Sequence, residues 1–231
     1  MTDLFLSSSY FAVTLTLLAY AFGCLCQRTF KLSVFNPILI GALTVMGVLY
    51  FLEVPNSVYQ RGCQILSYLL TPATICLSIS FYSQYQKLKH HLGAIFAGVL
   101  TGCISCLGSI WLLANYFGLN HQLTVSLLPK SITTAIGVVM SEALGGIGAI
   151  TTAAIILTGI LGNVFGPFLC KILAIRDPIA KGVAFGTGSH VIGTSRAVQV
   201  GELVGAVSSL SLVTAGLLTA AIFPLAVKFI A

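Results

Sequence analysis

Long apolar stretches separated by short polar segments are the feature that most constrains this chain. A transmembrane helix needs about 20 mostly apolar residues to cross the roughly 30 Å hydrocarbon core of a bilayer. Of the 231 residues, 57% are hydrophobic and only 7% are charged, whereas soluble domains carry charge on about a quarter of their residues. The sequence therefore predicts an all-α integral membrane protein, with no length left for a soluble catalytic domain.

The apolar runs predict about six transmembrane helices. The predicted spans are residues 4–26, 37–52, 64–82, 92–117, 146–173 and 205–229. Proline lacks an N–H group and disrupts a helix interior, so breaks are predicted at Asn36, Pro37, Thr71, Pro72 and Pro129. Each break is either a simple kink or helix start, or an opening toward a central site, where irregular backbone is tolerated.

Two further segments are predicted to be re-entrant hairpins. Residues 121–145 and 178–204 are long enough to span, but full crossings would place the basic loop after residue 170 outside the cell. The second segment also contains five glycines, and each costs a helix about 1 kcal/mol relative to alanine. A re-entrant hairpin keeps the positively charged loop in the cytoplasm. It also suits a glycine-rich segment, because irregular backbone at membrane depth is tolerated where protein or a watery cavity surrounds it.

The basic residues predict that the N-terminus lies outside the cytoplasmic membrane. On this topology two basic residues lie outside, Arg61 and Lys228, and two lie within the hairpins. The remaining seven lie inside: Arg28, Lys31, Lys87, Lys89, Lys171, Arg176 and Lys181. Retention of lysine and arginine in cytoplasmic loops explains the net charge of +6, so we do not expect nucleic-acid binding.

An internal repeat occupies the second half of the chain. Residues 130–145 align with residues 190–205 at an offset of 60, and five of the 16 pairs are identical. The predicted topology places the two copies in opposite orientations, which is an inverted repeat. We therefore predict a scaffold domain at residues 1–118 and a transport domain at 119–231, with repeats at 119–175 and 176–231 and an elevator-like architecture.

Polar and ionisable residues cluster in these two repeats. A charge near the bilayer centre costs about 2.5 to 3.5 kcal/mol on insertion scales, and cations, hydroxyls and helix N-termini all attract anions. We predict a binding site for a small organic anion, with candidate residues Lys130, Ser131, Thr133, Thr134, Thr187, Ser189, His190, Thr194 and Arg196. Supporting charge or coupling is assigned to Glu142, Glu202 and Asn163.

Several alternatives remain open for these residues. Lys130 could pair with Glu202, and Arg196 with Glu142, as salt bridges that only fix the packing. His190 could carry a proton, since an ordinary histidine titrates near pH 6.5, or be a hydrogen-bonded structural residue. Asn163 could line the site or join two helices.

The sequence contains no motif for a metal or nucleotide, so we expect no cofactor and no metal. Cys103 and Cys106 form a C-x-x-C, but they lie in an apolar run without a nearby histidine. Ser189 and His190 are adjacent in sequence, which does not favour a catalytic pair. We therefore do not expect an enzyme.

Several runs resemble the LrgB/CidB family of bacterial membrane proteins. They are NPILIG, TPATICLSI, LPKSITTAI with the E-x-x-G-G after it, ILTGILGNVFGP, GTGSHVIGTSRAVQVGE and AVSSLSLVTAGLLT. The resemblance covers nearly the whole chain. It implies a small LrgA/CidA-type membrane partner, and members are described as antiholin-like or holin-like regulators of murein hydrolases and cell lysis. Other members are linked to transport of glycolate and glycerate in plastids and to pyruvate uptake in bacteria.

The residues and the resemblance together predict a secondary transporter of small monocarboxylates of the glycolate, glycerate, lactate or pyruvate type. The alternative is an antiholin-like or holin-like protein that regulates murein hydrolase activity and lysis. We expect a multi-pass protein of the bacterial inner membrane that contacts the lipid bilayer, a small organic anion and an LrgA/CidA-type partner, and that forms a homodimer.

Overall fold

A computed structural model describes residues 8–30, 37–69, 72, 75, 76, 82, 86 and 89–230. These residues form helices and no strands. The helices whose bounds are described are α1 (Ser9–Phe30), α2 (Pro37–Phe51), α3 (Asn56–Gly62), α4 (Gln64–Tyr68), α5 (Leu92–Tyr116), α6 (His121–Leu127), α7 (Thr134–Ala143), α8 (Gly148–Ile172), α9 (Pro178–Val200) and α10 (Glu202–Ile230). The prediction of an all-helical protein is confirmed.

Four helices of the described residues are long and apolar enough to cross a membrane: Ser9–Thr29, Leu92–Tyr116, Gly148–Ile172 and Glu202–Lys228. They correspond to four of the six predicted spans. Helix α2, at 15 residues, is shorter than a typical span. Nine of the 19 residues of the predicted span at 64–82 lie outside the described residues, and so does Asn36. Thr71 is one of the nine.

The chain forms two compact units, Met1–Cys76 and Leu77–Ala231. In the first unit, a β-carbon built on Gly62 of α3 would lie 2.6 Å from the β-carbon of Ala12 of α1. The hydroxyls of Thr16 and Tyr59 also form a hydrogen bond of 2.7 Å between these helices. Glycine and hydroxyl groups thus bring α1 and α3 into close contact.

In the second unit, α5 and α10 form the core. Ile95, Val99 and Cys103 of α5 pack against Ala206, Val207 and Ala215 of α10. A second cluster joins α5 and α10 to the short helix α6 and consists of Leu107, Val125, Leu128, Phe223 and Val227. Helix α5, which the prediction assigned to the scaffold, therefore packs on the elements of the predicted repeats.

The chain reverses direction between α6 and α7. Met140 and Leu144, at the end of α7, pack on the cluster that contains Val125 of α6. The hydroxyl of Ser126 also accepts a hydrogen bond of 2.7 Å from the backbone N–H of Ile147, beyond α7. Because the start of this segment meets its end, residues 128–133 form a turn, and Pro129 lies in that turn.

Helix α7 then runs antiparallel to α8. The hydroxyl of Thr151 donates to Ser141 over 2.7 Å, and a β-carbon built on Gly137 would lie 2.7 Å from the δ-carbon of Ile155. Residue numbers therefore fall along α7 as they rise along α8. The glycine pair Gly145 and Gly146 makes the connection, and Gly145 has a φ of 89°, which favours glycine.

A second reversal occurs at His190, inside α9. His190 has φ 42° and ψ −140°, and helical residues stand on both sides of it. A β-carbon built on Gly193 would lie 2.9 Å from the carbonyl oxygen of Phe185. Eight residues of straight helix would separate these positions by about 12 Å. Helix α9 is therefore two arms, the first arm (residues 178–189) and the second arm (residues 191–200).

Contacts with α10 give the direction of each arm. In the first arm, a β-carbon on Gly182 would meet the side chain of Val207 at 2.5 Å, and one on Gly186 would meet that of Ser211 at 2.8 Å. Residue numbers rise in the same direction along the first arm and along α10, so the two helices are parallel.

The second arm runs antiparallel to α10. The hydroxyls of Thr194 and Ser208 are 2.9 Å apart, and a β-carbon on Gly205 would lie 2.8 Å from a γ-carbon of Val198. Since the two arms run in opposite directions beside one helix, His190 is the tip of a helical hairpin.

We predict that Gly193→Ala lowers the melting temperature in detergent. The added β-carbon would press on Ser189 and on the carbonyl of Phe185, and overpacking of this kind costs about 1–3 kcal/mol. Gly188→Ala is the matched control, because nothing lies within 4 Å of its added β-carbon. Thermal unfolding of both variants checks the hairpin, and equal melting temperatures would contradict it.

Candidate functional site

A groove of about 780 Å³ lies in the second unit, beside the turn between α6 and α7. Its walls are the turn itself, one face of α5 and the first arm of α9. Three of the predicted site residues line it together: Lys130, Ser131 and Thr187. The volume falls within the usual range for small-molecule sites.

The α5 wall is built from small residues. Ala94, Gly98, Gly102, Ser105, Cys106 and Ser109 all line the groove. A β-carbon on Gly102 would lie 2.6 Å from the methyl group of Thr187, and one on Gly98 would lie 3.2 Å from Val183. The glycines thus let the first arm approach α5 closely, as small residues do between membrane helices.

The turn supplies a cation and a hydroxyl. The ammonium of Lys130 donates to the hydroxyl of Ser131 over 3.5 Å, and that hydroxyl is 3.0 Å from the thiol of Cys106. Lys130 is half-buried, whereas Ser131 is buried. Within the described residues Lys130 forms no ion pair, and Asp177, whose carboxylate caps α9, also lines the groove.

Thr187 contributes a hydroxyl that has no protein partner. Among the described residues, the buried side-chain oxygens without a hydrogen bond are those of Thr187 and Ser211. A buried hydroxyl left unpaired costs about 1–3 kcal/mol. Thr187 also borders a void of about 10 Å³ shared with Ser131 and Thr219, which is the size of one water molecule. The oxygen itself is buried, so this void, and not the open groove, is the space that adjoins it.

The start of α7 adds a helix N-terminus next to this cation. Thr133 is the N-cap residue, and its side chain makes no capping hydrogen bond. Thr134 is the first residue of the helix. The first N–H groups of a helix lack intrahelical partners and carry a partial positive charge, so the turn that holds Lys130 favours anions.

Three other predicted site residues hold the tip of the α9 hairpin. The Nε2 of His190 donates to the carbonyl of Ile155 over 2.8 Å. The hydroxyl of Thr194 donates to the carbonyl of His190 over 2.9 Å, and Ser189 packs against Gly162 of α8. All three are buried, and none of them lines the groove. Their contacts are those of residues that fix a backbone reversal.

Arg196 lies outside the groove. One of its terminal nitrogens donates to the side-chain oxygen of Gln199 over 2.8 Å. The sequence placed Arg196 beside Lys130 at one site, but the groove contains only Lys130 of this pair. Asn163 joins α8 to the second arm, because its amide donates to the carbonyl of Ile192 over 2.9 Å.

The carboxylates of Glu142 and Glu202 lie near helix N-termini, although Glu142 itself is in the last turn of α7. The carboxylate of Glu142 packs against Gly148, the first residue of α8, and Glu202 is in the first turn of α10. Negative charge at this end stabilises a helix by about 0.3–1 kcal/mol. In the described part of the chain, neither the Lys130–Glu202 nor the Arg196–Glu142 salt bridge is formed.

The predicted helix breaks divide into three groups. Pro37 is the first residue of α2, a position that suits proline. Pro129 lies in the turn between α6 and α7. Asn36 and Thr71 lie outside the described residues, and Pro72 is described without its neighbours.

Sequence reasoning missed the α5 wall. The span at residues 92–117 was interpreted as an ordinary transmembrane helix, although its small residues recur at intervals of three and four. That spacing places them on one helical face. The same region of the chain contains Cys103 and Cys106, which are both free thiols. Across the described residues, no group of three or more histidine, cysteine or acidic side chains could hold a metal.

Membrane-length helices, two chain reversals and a solute-sized groove with a lysine define a polytopic helical membrane protein. The sequence profile of the LrgB-like family matches residues 16–229. Antiholin-like protein LrgB of Bacillus mycoides (strain KBAB4) is 33% identical over 225 residues, which is 96% of each chain. The proteins of the same name from Bacillus cereus (strain B4264) and Bacillus anthracis (strain CDC 684 / NRRL 3495) match equally, at 33% over 96% of each chain.

This chain therefore belongs to the LrgB-like family, and the resemblance noted in its sequence runs is confirmed. No solved structure is significantly similar to it.

We predict opposite stability effects for two threonine variants. Thr187→Val removes a hydroxyl without a hydrogen bond, so the melting temperature should stay the same or rise. Thr194→Val, the matched variant, breaks the hydrogen bonds to His190 and Ser208 and should cost about 1–3 kcal/mol. Thermal unfolding in detergent measures both. Equal losses in the two variants would show that the Thr187 hydroxyl has a partner in the protein.

Proposed function

We propose that this chain acts as an antiholin-like protein that restrains murein hydrolase activity and cell lysis together with a small LrgA/CidA-type membrane protein. The observation that carries the proposal is the 33% identity, over 96% of both chains, to proteins named antiholin-like protein LrgB. The proposal places the chain in the bacterial cytoplasmic membrane with its N-terminus outside.

A lysis assay tests this proposal. We expect this chain, expressed with the small partner in a bacterial strain that lacks its own LrgB-family protein, to slow detergent-induced lysis. The decline in optical density measures lysis, and zymograms measure murein hydrolase activity. The control strain expresses the partner alone. Lysis at the same rate in both strains would contradict the proposal.

The groove favours a second candidate function, a carrier of small monocarboxylates. Lys130 lines the groove and forms no ion pair among the described residues. A carboxylate in the groove would accept a charge-assisted hydrogen bond from its ammonium, and such bonds are the stronger kind.

The architecture proposed for this carrier is a pair of re-entrant hairpins in an inverted repeat. Helix α8 is antiparallel to the first arm of α9, since Gly162 contacts Ser189 and Gly166 contacts Phe185. The first arm is parallel to α10. Helices α8 and α10 therefore run in opposite directions, as the long helices of two inverted repeats do.

We further propose that residues 119–231 move against residues 1–118 as an elevator, in a homodimer. The support for this step is the opposite orientation of α8 and α10, as in inverted-repeat transporters. Helix α5 packs closely on the repeats through Ile95 and Val99, so the motion would have to break this packing. In this motion the solute moves with residues 119–231, which contain both backbone reversals.

Proteoliposome uptake of labelled glycolate, glycerate, lactate and pyruvate tests the carrier. Uptake should saturate, and Lys130→Gln should reduce it about 10- to 100-fold, since hydrogen bonds to charged groups contribute about 1.5–3 kcal/mol. Lys228→Gln, which removes an exposed cation at the end of α10, is the control. Arg196→Gln tests the alternative that this second cation also binds solute.

Two results would contradict the carrier. Unsaturable leak of unrelated solutes would indicate a pore. Normal uptake by Lys130→Gln, with loss in Arg196→Gln, would place the site outside the groove. The same variants in the lysis assay would show whether the antiholin-like activity depends on the groove.

A further inference from the structure

A second cavity lies at the opposite end of the α9 hairpin from its tip. It has a volume of about 350 Å³ and contains three basic residues: Lys171, Arg176 and Lys181. Pro167 and Phe185 contribute apolar surface to it. We call it the basic pocket. None of these residues lines the groove that contains Lys130.

The three cations of the basic pocket come from three different elements. Lys171 is in the last turn of α8, Arg176 is in the connection after it, and Lys181 is in the first turns of α9. A tight turn brings these elements together. The N–H of Ile175 donates to the carbonyl of Cys170 over 2.9 Å, and Ala174 has a φ of 53°.

In the described part of the chain, no carboxylate forms an ion pair with these three cations. Asp177 adjoins Arg176 in the sequence, but its carboxylate caps α9 by accepting from the N–H of Ala180 over 2.8 Å. Within the described residues, none of the three cations forms an ion pair. The pocket therefore concentrates three positive charges, whose mutual repulsion a bound anion would relieve.

The surface beside the pocket is apolar and exposed. Phe168, Leu169, Ile172 and Leu173 have exposed fractions of 58%, 50%, 61% and 65%. They occupy the last turns of α8, at the end of a membrane-length helix. Cations at the end of a span, next to lipid-facing apolar side chains, match the two parts of a phospholipid, its headgroup and its acyl chains.

Positive-inside topology alone does not explain this arrangement. It requires only that lysine and arginine lie in cytoplasmic loops, where they could point into water separately. Here they converge on one cavity with an apolar wall. We propose that the basic pocket binds a phosphate group, and that the exposed apolar rim selects the phosphate of an anionic phospholipid over free phosphate.

The bound lipid would hold the base of the hairpin. The pocket also includes Val200, the last residue of the second arm, and its wall residues Cys170 and Phe185 belong to the cluster with Ala197 and Val204. A headgroup in the pocket therefore contacts α8 and both arms of α9 at once. The expected result is higher thermal stability of the protein in anionic lipid.

The test measures the melting temperature and lipid affinity of the purified chain in detergent. The probes are cardiolipin, phosphatidylglycerol, phosphatidylcholine and inorganic phosphate. The variant is Lys171→Gln/Arg176→Gln/Lys181→Gln. The matched control, Arg61→Gln/Lys89→Gln/Lys228→Gln, removes the same charge from exposed positions outside the pocket.

We expect both anionic lipids, but not phosphatidylcholine, to raise the melting temperature of the wild type and the control. The pocket variant should bind them on the order of 100-fold more weakly, since each lysine or arginine near an anionic surface contributes about a factor of five. Circular dichroism without lipid verifies that both triple variants fold.

Equal lipid affinity in the two triple variants would overturn the proposed pocket. Pocket-dependent binding of inorganic phosphate as tight as that of the lipids would support the phosphate site but overturn its lipid selectivity. Neither result depends on lysis or on uptake, so failure of the basic pocket is distinguishable from failure of the proposed function.

Discussion

The backbone reverses twice inside an apolar helical bundle, and each reversal leaves backbone N–H and carbonyl groups without helical hydrogen bonds. Because lipid offers no hydrogen bonds, the protein itself must supply partners for these groups. At the tip of the α9 hairpin, His190 donates to Ile155 of α8, and Thr194 donates back to the carbonyl of His190. Ser208 of α10 completes this network. These contacts make the hairpin dependent on both long helices, so its tip cannot form without them.

Because these polar groups have hydrogen-bond partners, the nearby polar groups that lack one are informative. Thr187 lies three residues before His190 on the same hairpin, yet its hydroxyl has no partner. Lys130 lies at the other reversal without an ion pair among the described residues. Both groups line one groove. A buried polar group without a protein partner calls for a water, an ion or a ligand. The void beside Thr187 has the size of one water, whereas Lys130 lines the larger groove.

The backbone reverses within each of the two segments that the sequence predicted as hairpins, at residues 128–133 and at His190, where proline or glycine marks the segment. The re-entrant placement of these segments in the membrane stays a prediction. The sequence could not predict which candidates share a site. Which residues share a site depends on the register of each arm against α8 and α10. A shift of two residues along a helix turns a side chain to another face. Arg196 and Lys130 were therefore grouped by charge, although only Lys130 lines the groove. The α5 wall was missed because small residues at helical spacing also occur in ordinary helix packing.

The first arm of α9 connects the groove to the basic pocket. Val183 and Thr187 line the groove, whereas Lys181 and Phe185 line the basic pocket. Each pair is four residues apart and thus lies on one helical face, so the two sites use different faces of one short arm. A helical arm moves largely as a rigid element, because its hydrogen bonds fix each residue to the next turn. A ligand in the basic pocket would therefore contact the same helical arm that carries Thr187 in the groove wall.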